Sequence, residues 1–179
     1  MKPKFIGVSR ALAFSGCTDF RFVDEEDLYK GSEIHRMAEL RLKGKLDRKS
    51  VPITRRGYLE AIDKFLRENG FIPTHVEQLV EDKSLGICGR LDAAGVMKGK
   101  RTVVDFKTGA INPAVALQLC LYGHCLDPSH WWERVAVQLR PDGKYSLGKP
   151  MPIRTWHADL TTALAACRVA QWKRREGLV

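Results

Sequence analysis

The chain has 179 residues, enough for one domain with a substantial core, and its 44% hydrophobic content is ordinary for a soluble globular protein. A net charge of +9 and a pI near 9.5 suggest a polyanionic partner without specifying a fold. No stretch is apolar enough for a membrane span or a secretory leader, and five cysteines without a CxxC pair argue against a disulfide framework or a zinc knuckle, so a reducing, cytoplasmic setting is expected.

The charge is distributed along the chain. Residues 1–50 carry 11 basic and 8 acidic side chains, residues 51–110 carry 10 and 8, and residues 111–179 carry 9 and 5. No segment is a basic tail, so a surface for nucleic acid has to be assembled by folding.

In chain order, residues 1–30 read as a loop-rich lead-in, and the acidic cluster Asp24–Asp27 resembles a helix start because carboxylates favour the positive end of a helix dipole. Apolar spacing predicts a helix from about Ser32 to Leu46 and another from about Thr54 to Asn69, closed by Gly70. The period then shortens to two. Strands are expected over His75–Glu81, Ile87–Met97 and Arg101–Phe106, the last two joined by a tight turn at Lys98–Lys100, which together make an antiparallel meander. A helix over about Pro113–Leu126 follows, then a strand at Val135–Leu139, a turn at 141–144, a short strand at Tyr145–Leu147 and a final helix from about Asp159 to Arg175. This order implies an α/β (α+β) fold, a mixed central sheet flanked by helices, in one domain: lead-in 1–30, core 31–140, C-terminal hairpin and helix 141–179.

The residues that carry chemistry begin with Asp105-Phe106-Lys107. Alternate strand positions share a face, so the carboxylate and the ammonium emerge side by side at the end of an apolar run. Asp92, in Gly89-Arg-Leu-Asp92, lies on the preceding strand of the hairpin and can approach Asp105. Two adjacent carboxylates repel unless a divalent cation holds them, and hard oxygen donors suit Mg²⁺ or Mn²⁺. A salt-bridged surface hairpin is the bland alternative. Gln118 and Tyr122 are four apart on a predicted helix and share a face. Gly31 and His35 stand near a helix start, where a small residue permits close approach and a neutral imidazole can join carboxylates on a Mn²⁺-type ion.

The succession GSEIH, VEQLVE, GRLD, VVDFKTG and QLCLY resembles the RecB-like branch of the PD-(D/E)xK nucleases, closest to its small stand-alone, phage-type members, over about Gly7 to Tyr122. The resemblance implies a restriction-endonuclease-like core and metal-dependent cleavage of DNA, often from an end, in recombination, repair or viral DNA metabolism. It implies metal ligation by His35, Asp92, Asp105 and the Phe106 carbonyl, and catalysis by Lys107 with the two aspartates. Glu77 matches an assisting carboxylate, with Glu81 the alternative in register, while Gln118 and Tyr122 match residues that steady the site and meet the DNA backbone. Some members hold an iron–sulfur cluster; the thiolate spacing for one is missing here, so none is expected. A homo-oligomer and a recombination or single-strand-binding partner are compatible with the resemblance. A catalytically silent DNA-binding module and a structure-specific endonuclease are the competing readings.

Overall fold

The computed structural model describes residues 5–18 and 25–179; Asp24, at the head of the acidic cluster, lies outside them. Six strands form one mixed sheet: β1 (Ile6–Gly7), β2 (Ile72–Asp82), β3 (Ile87–Met97), β4 (Lys100–Lys107), β5 (Glu133–Leu139) and β6 (Tyr145–Leu147). Five helices accompany them: α1 (Val8–Ser15), α2 (Glu25–Leu42), α3 (Arg56–Asn69), α4 (Val115–Leu126) and α5 (Trp156–Arg175). One face of the sheet packs on α1, α4 and α5 and the other on α2 and α3, which gives two apolar layers around a central sheet. This is the mixed α+β architecture that the element order predicts.

The strands β2, β3 and β4 form the expected antiparallel meander. The turn between β3 and β4 uses Lys98 at φ 50° and Gly99 at φ 77°, the left-handed pair that a two-residue hairpin needs. Strands β4 and β5 run parallel, so α4 serves as the crossover that parallel neighbours require. β6 then returns antiparallel to β5.

Several bounds differ from the sequence expectation, although Glu25–Asp27 of the acidic cluster do open a helix, as expected. The lead-in is not simply loop: Val8, Ala11 and Leu12 are buried and space one helical face, but α1 is too short for that periodicity to stand out. Helix α2 begins at Glu25, before the apolar stripe starts at Ile34; its exposed first turns carry Glu25, Glu26 and Asp27, whose charges suit the helix dipole. It also stops at Leu42, short of Leu46, with Gly44 at φ 66° beyond it. Helix α5 starts at Trp156, which is buried.

The β2–β3 ladder shifts register between Pro73 and His75 and skips a pair at Glu77, and the second place positions the candidate site. Leu91 and Ala94 both face the α1–α4–α5 layer while Ala93 faces the other, a three-residue spacing that strict strand alternation forbids. The ladder between β2 and β3 passes from Val76↔Ala93 to Gln78↔Leu91 without pairing Glu77 and Asp92, and Glu77 has φ 50°. On the other edge of β3, the pairs with β4 begin at Ala93↔Val104 and those with β1 end at Gly7↔Cys88, so a fork opens between β1 and β4. A non-glycine residue at positive φ typically costs about 1–3 kcal/mol and is held there by its surroundings.

Candidate metal centre

At the fork, Glu77, Asp92 and Asp105 occupy one row across β2, β3 and β4. Continuing the antiparallel registers on either side of β3 sets Asp92 opposite both carboxylates. Asp92 Oδ2 replaces the missing ladder bond by accepting the Phe106 N–H at 2.7 Å. The Phe106 ring points into the α2–α3 layer, fully buried and edge-on to Phe65 at 5.9 Å between centroids. The backbone of β4 is thereby fixed, and Asp105 and Lys107 face the opposite side, toward α4.

Helix α2 brings His35 over the row, with Nδ1 3.2 Å from Asp92 Oδ1. Among the described residues, one group of three or more candidate ligands converges: His35, Glu77 and Asp92 offer donor atoms all within 4.8 Å of one another. Of the two glutamates open in register, Glu77 is the one in this group; Glu81 instead lies near Lys83, with an N···O distance of 3.7 Å. Asp105 falls outside the group. Lys107 Nζ donates to its Oδ1 at 3.0 Å and stands 2.8 Å from its Oδ2, which is buried without a well-aligned hydrogen bond. The alternative salt bridge thus exists, but inside the site rather than on a solvated hairpin.

The electrostatics record an excess of negative charge. Burial and the neighbouring Asp92 push Asp105 up to about 6, against the opposing pull of Lys107 and His35. Burial and Asp92 also raise Glu77. Burial disfavours the charged forms of His35 and Lys107, but the hydrogen bond that His35 gives to Asp92 and the charge of Asp105, respectively, outweigh it and raise both. Three carboxylates therefore share the row with one ammonium and one imidazole, and the exposed Arg90 reaches Glu77 from outside with Nε 4.0 Å from Oε2. A divalent cation suits this donor set: it would satisfy the orphaned Asp105 oxygen and offset the repulsion.

The support from α4 depends on glycine. Gln118 Nε2 donates to the Tyr122 hydroxyl at 3.3 Å, and the buried Tyr122 ring lies against β3 at Gly89. A Cβ at Gly89 would stand 2.7 Å from Tyr122 Cε1 and 3.3 Å from Val8 Cγ2, so the ring's position requires glycine. Burial raises the Tyr122 phenol well above its ordinary value, which keeps it protonated. Gly31 differs: a Cβ there would meet Thr108 Oγ1 at 3.8 Å, an ordinary contact, so close approach at that point is not what selects glycine.

The row opens into a cleft of about 1060 Å³ between α1, α2 and the start of α4. Lys30, Arg36, Arg90 and Lys107 bring positive charge to its walls, Asp27 and Glu39 pair with Lys30 and Arg36 there, and Thr18 and Asn112 bring neutral polar groups. Apart from Lys107, the recurring motifs do not single out these wall residues. Arg90 sits inside GRLD, and its guanidinium donates to the Glu77 carbonyl at 2.9 Å, which braces the strained residue. No described helix is long and apolar enough to cross a membrane.

No family model matches the chain, and neither does any curated protein. Among solved structures, the chain shows a slight likeness to an alkaline exonuclease, LHK-Exo, from Laribacter hongkongensis, with 15% identity and a TM-score of 0.36 over 99% of this chain and 95% of that one. The same enzyme in complex with dAMP aligns at 14% identity and a TM-score of 0.35, covering 98% of this chain and 94% of that one.

Proposed function

We propose that the protein is a divalent-metal-dependent deoxyribonuclease that hydrolyses phosphodiester bonds, acting at DNA ends in recombination, repair or viral DNA metabolism. The observation that carries this reading is the carboxylate row at the strand fork: Asp105 is buried with an orphaned oxygen beside Lys107, while His35, Glu77 and Asp92 converge next to it. Carboxylates crowded this way cost stability unless a cation completes them. An adjacent ammonium is what an anionic phosphoryl transition state needs.

His35, Glu77, Asp92, Asp105 and the Phe106 carbonyl would hold the ion. When bound, Mg²⁺ or Mn²⁺ would polarise a phosphate oxygen and lower the pKa of water. The chain's own residues do the rest. Asp92 fixes the Phe106 amide and, through it, the carbonyl side of β4. Lys107, once Asp105 turns to the cation, presents its ammonium to the cleft, where it balances charge gathering on the scissile phosphate. Lys30, Arg36 and Arg90 line the approach and orient the phosphate backbone. Tyr122, kept protonated, accepts a hydrogen bond from Gln118 and stands within electrostatic reach of Asp105 and Asp92.

The end-directed mode and the RecB-like, phage-type affinity rest on the sequence resemblance, and the mixed His and carboxylate donors favour Mn²⁺ over an all-oxygen site. The test is a gel assay with linear, closed circular and branched DNA in Mg²⁺, Mn²⁺, Ca²⁺ and chelator. Metal-dependent loss of linear DNA with circles spared is the expected result. Cutting of circles or junctions would replace the end-directed mode with an endonuclease, and undiminished cutting in chelator would overturn the metal centre. Tight DNA binding without cutting in any metal would favour a silent binding module.

A further inference from the structure

We propose that the last two turns of α5 form a docking site for an unpaired nucleic-acid strand, with a base stacked on Trp172 and its phosphates held by Arg168 and Arg175. The choice of a nucleic-acid strand as occupant rests on the nuclease reading. The chain-wide charge tally hides a local concentration: residues 168–175 contain Arg168, Lys173, Arg174 and Arg175 and no acid. Arg168 and Arg175 stand four before and three after Trp172, so all three share one helical face. Trp172 is 47% exposed; Trp131, away from this patch, is 55% exposed, so it is the basic neighbours that set Trp172 apart.

These residues border a cavity of about 560 Å³ between α5 and the turn joining β2 and β3, completed by Ser84, Leu85 and Gln171. Its floor is fixed. Gln171 Nε2 donates to the Gly86 carbonyl at 2.7 Å and to the Leu85 carbonyl at 3.1 Å, and Gly86, at φ 61°, leaves room for that amide. Arg168 has no protein partner among the described residues; Arg175 has Glu176 at 2.9 Å, the one acid adjoining the patch on the helix.

The chemistry selects the occupant. Trp and Arg also serve protein–protein contacts, but four cations with no acid over residues 168–175 complement a polyanion. A duplex presents phosphates but keeps its bases stacked inside, so it gives Trp172 nothing to stack on. An unpaired strand offers both a free base face and phosphates, the combination that aromatic and basic platforms bind without regard to sequence. The patch also connects to the cleft: Lys173 Nζ donates to the Phe14 carbonyl of α1 at 2.8 Å, and Ser9 and Leu12 of the same helix form part of the cleft wall. One helix therefore separates the two, roughly 10 Å of protein.

The experiment measures binding of labelled oligothymidylate and of a blunt hairpin duplex by fluorescence anisotropy in Ca²⁺, for wild type, Trp172→Ala, Trp172→Phe and Arg168→Glu. Circular dichroism checks that each variant is folded. Trp172→Ala should weaken oligothymidylate roughly tenfold, the scale of one lost stack, with Trp172→Phe restoring most of it. Arg168→Glu should lower the salt slope by at least about one. Duplex affinity and cleavage of a short duplex should stay as in wild type. Unchanged oligothymidylate binding in both Trp172→Ala and Arg168→Glu overturns the proposal, as does a Trp172→Ala effect confined to self-association in sedimentation. If oligothymidylate binding depends on Trp172 but wild type cuts no DNA in Mn²⁺, the nuclease reading fails and the strand site stands. If cutting is robust and Trp172 is silent, the reverse holds.

Discussion

The protein buries charge in two places, and they are built differently. Arg134, on β5, has a side chain with no solvent exposure, yet its guanidinium meets the Asp159 carboxylate at 2.7 Å, Thr155 Oγ1 at 2.9 Å, and the carbonyls of Ala116 and Pro152. Trp156 lies beneath it at 5.5 Å. One cation meets one anion, and the bonds tie β5 to α4, α5 and the turn before α5. At the strand fork, three carboxylates face Lys107, His35 and the exposed Arg90, whose Nε lies 4.0 Å from Glu77 Oε2; Asp105 Oδ2, like Arg134 Nε in the first cluster, has no well-aligned hydrogen bond, and the backbone at Glu77 has a positive φ. The first cluster is closed from solvent; the second opens to a cleft, and burial and the neighbouring Asp92 raise two of its carboxylates, Asp105 and Glu77. Buried charge alone does not mark a functional site, but perturbed carboxylates that converge beside a cleft make a candidate one.

The largest expected effects separate the two clusters. Asp105→Ala and Lys107→Ala should each lower cleavage by ~10³-fold or more, the scale of several kcal/mol of transition-state stabilisation, while the thermal transition moves little in Asp105→Ala and falls in Lys107→Ala, which strips the buried Asp105 of its ion-pair partner. Arg134→Ala should do the opposite: it strands Asp159 and removes a four-way tie, with a cost of about 3 kcal/mol or more in denaturant unfolding. The residual folded Arg134→Ala protein should bind Mn²⁺ like wild type. Wild-type cleavage by Lys107→Ala, or Mn²⁺ binding lost in Arg134→Ala, would erase the distinction.

Next in size is a dependence on pH that the closed cluster should lack. Asp105 is raised to about 6 and His35 is also raised, so both carry protons in mildly acid solution. A cation needs the carboxylate ionised and the imidazole neutral, so binding expels protons and the apparent affinity climbs as pH rises through about 6. The sign for the metal-free fold is the reverse. An Asp105 whose folded pKa exceeds its unfolded one contributes stability that is complete below about 4 and is lost as pH rises through about 6. Added Mn²⁺ should therefore raise the melting temperature more at pH 7.5 than at pH 5.5, as scanning calorimetry would show. An equal gain at both values would mean that Asp105 does not meet the ion.

Much of this contrast was legible in the sequence, for reasons that name its limits. Asp105 and Lys107 share a face because they are two apart in a strand, and β3 matches its expected bounds because its apolar run is long. Strand alternation alone could not place Asp92, because its position comes from the skipped pair at the fork, where Leu91 and Ala94 share a layer. Glu77 was one of two candidates until its positive φ and the skipped pair distinguished it from Glu81. Arg134 was invisible, since a buried arginine is written no differently from an exposed one. The basic face of α5 was averaged away in a charge count by thirds of the chain.

A smaller effect tests the two motif glycines. Gly89→Ala should displace the Tyr122 ring or Val8, lose about 1–3 kcal/mol as an overpacked site does, and slow cleavage through the loosened α4. Gly31→Ala places its methyl in open contact with Thr108, and its gain in helix propensity should leave stability equal or about 0.5–1 kcal/mol higher. Denaturant melts of the two variants compare them directly, and similar losses in both would contradict the packing at Gly89.

The finest distinction concerns His35, which can be a cation ligand or only a brace for Asp92. Its Nδ1 lies 3.2 Å from Asp92 Oδ1, and its donor atom is within 4.8 Å of those of Glu77 and Asp92, so either role fits the metal-free geometry. The roles differ in what they predict for two metals of similar charge. An imidazole nitrogen favours Mn²⁺ over Mg²⁺, whereas the carboxylates and the Phe106 carbonyl offer only oxygen. A ligand lost from the set should therefore weaken Mn²⁺ more than Mg²⁺, on the order of tenfold against severalfold, in line with 10–100-fold losses when even outer partners of a metal are removed. A brace lost from Asp92 should weaken both metals alike, because it acts through an oxygen donor common to them. Calorimetric titration of His35→Ala with each metal separates the two, and His35→Gln adds a check by keeping a hydrogen bond to Asp92 without the imidazole. Selective loss of Mn²⁺ affinity in both variants makes His35 a ligand. Equal losses in His35→Ala that His35→Gln repairs make it a brace, and the ion would then rest on carboxylates and backbone alone.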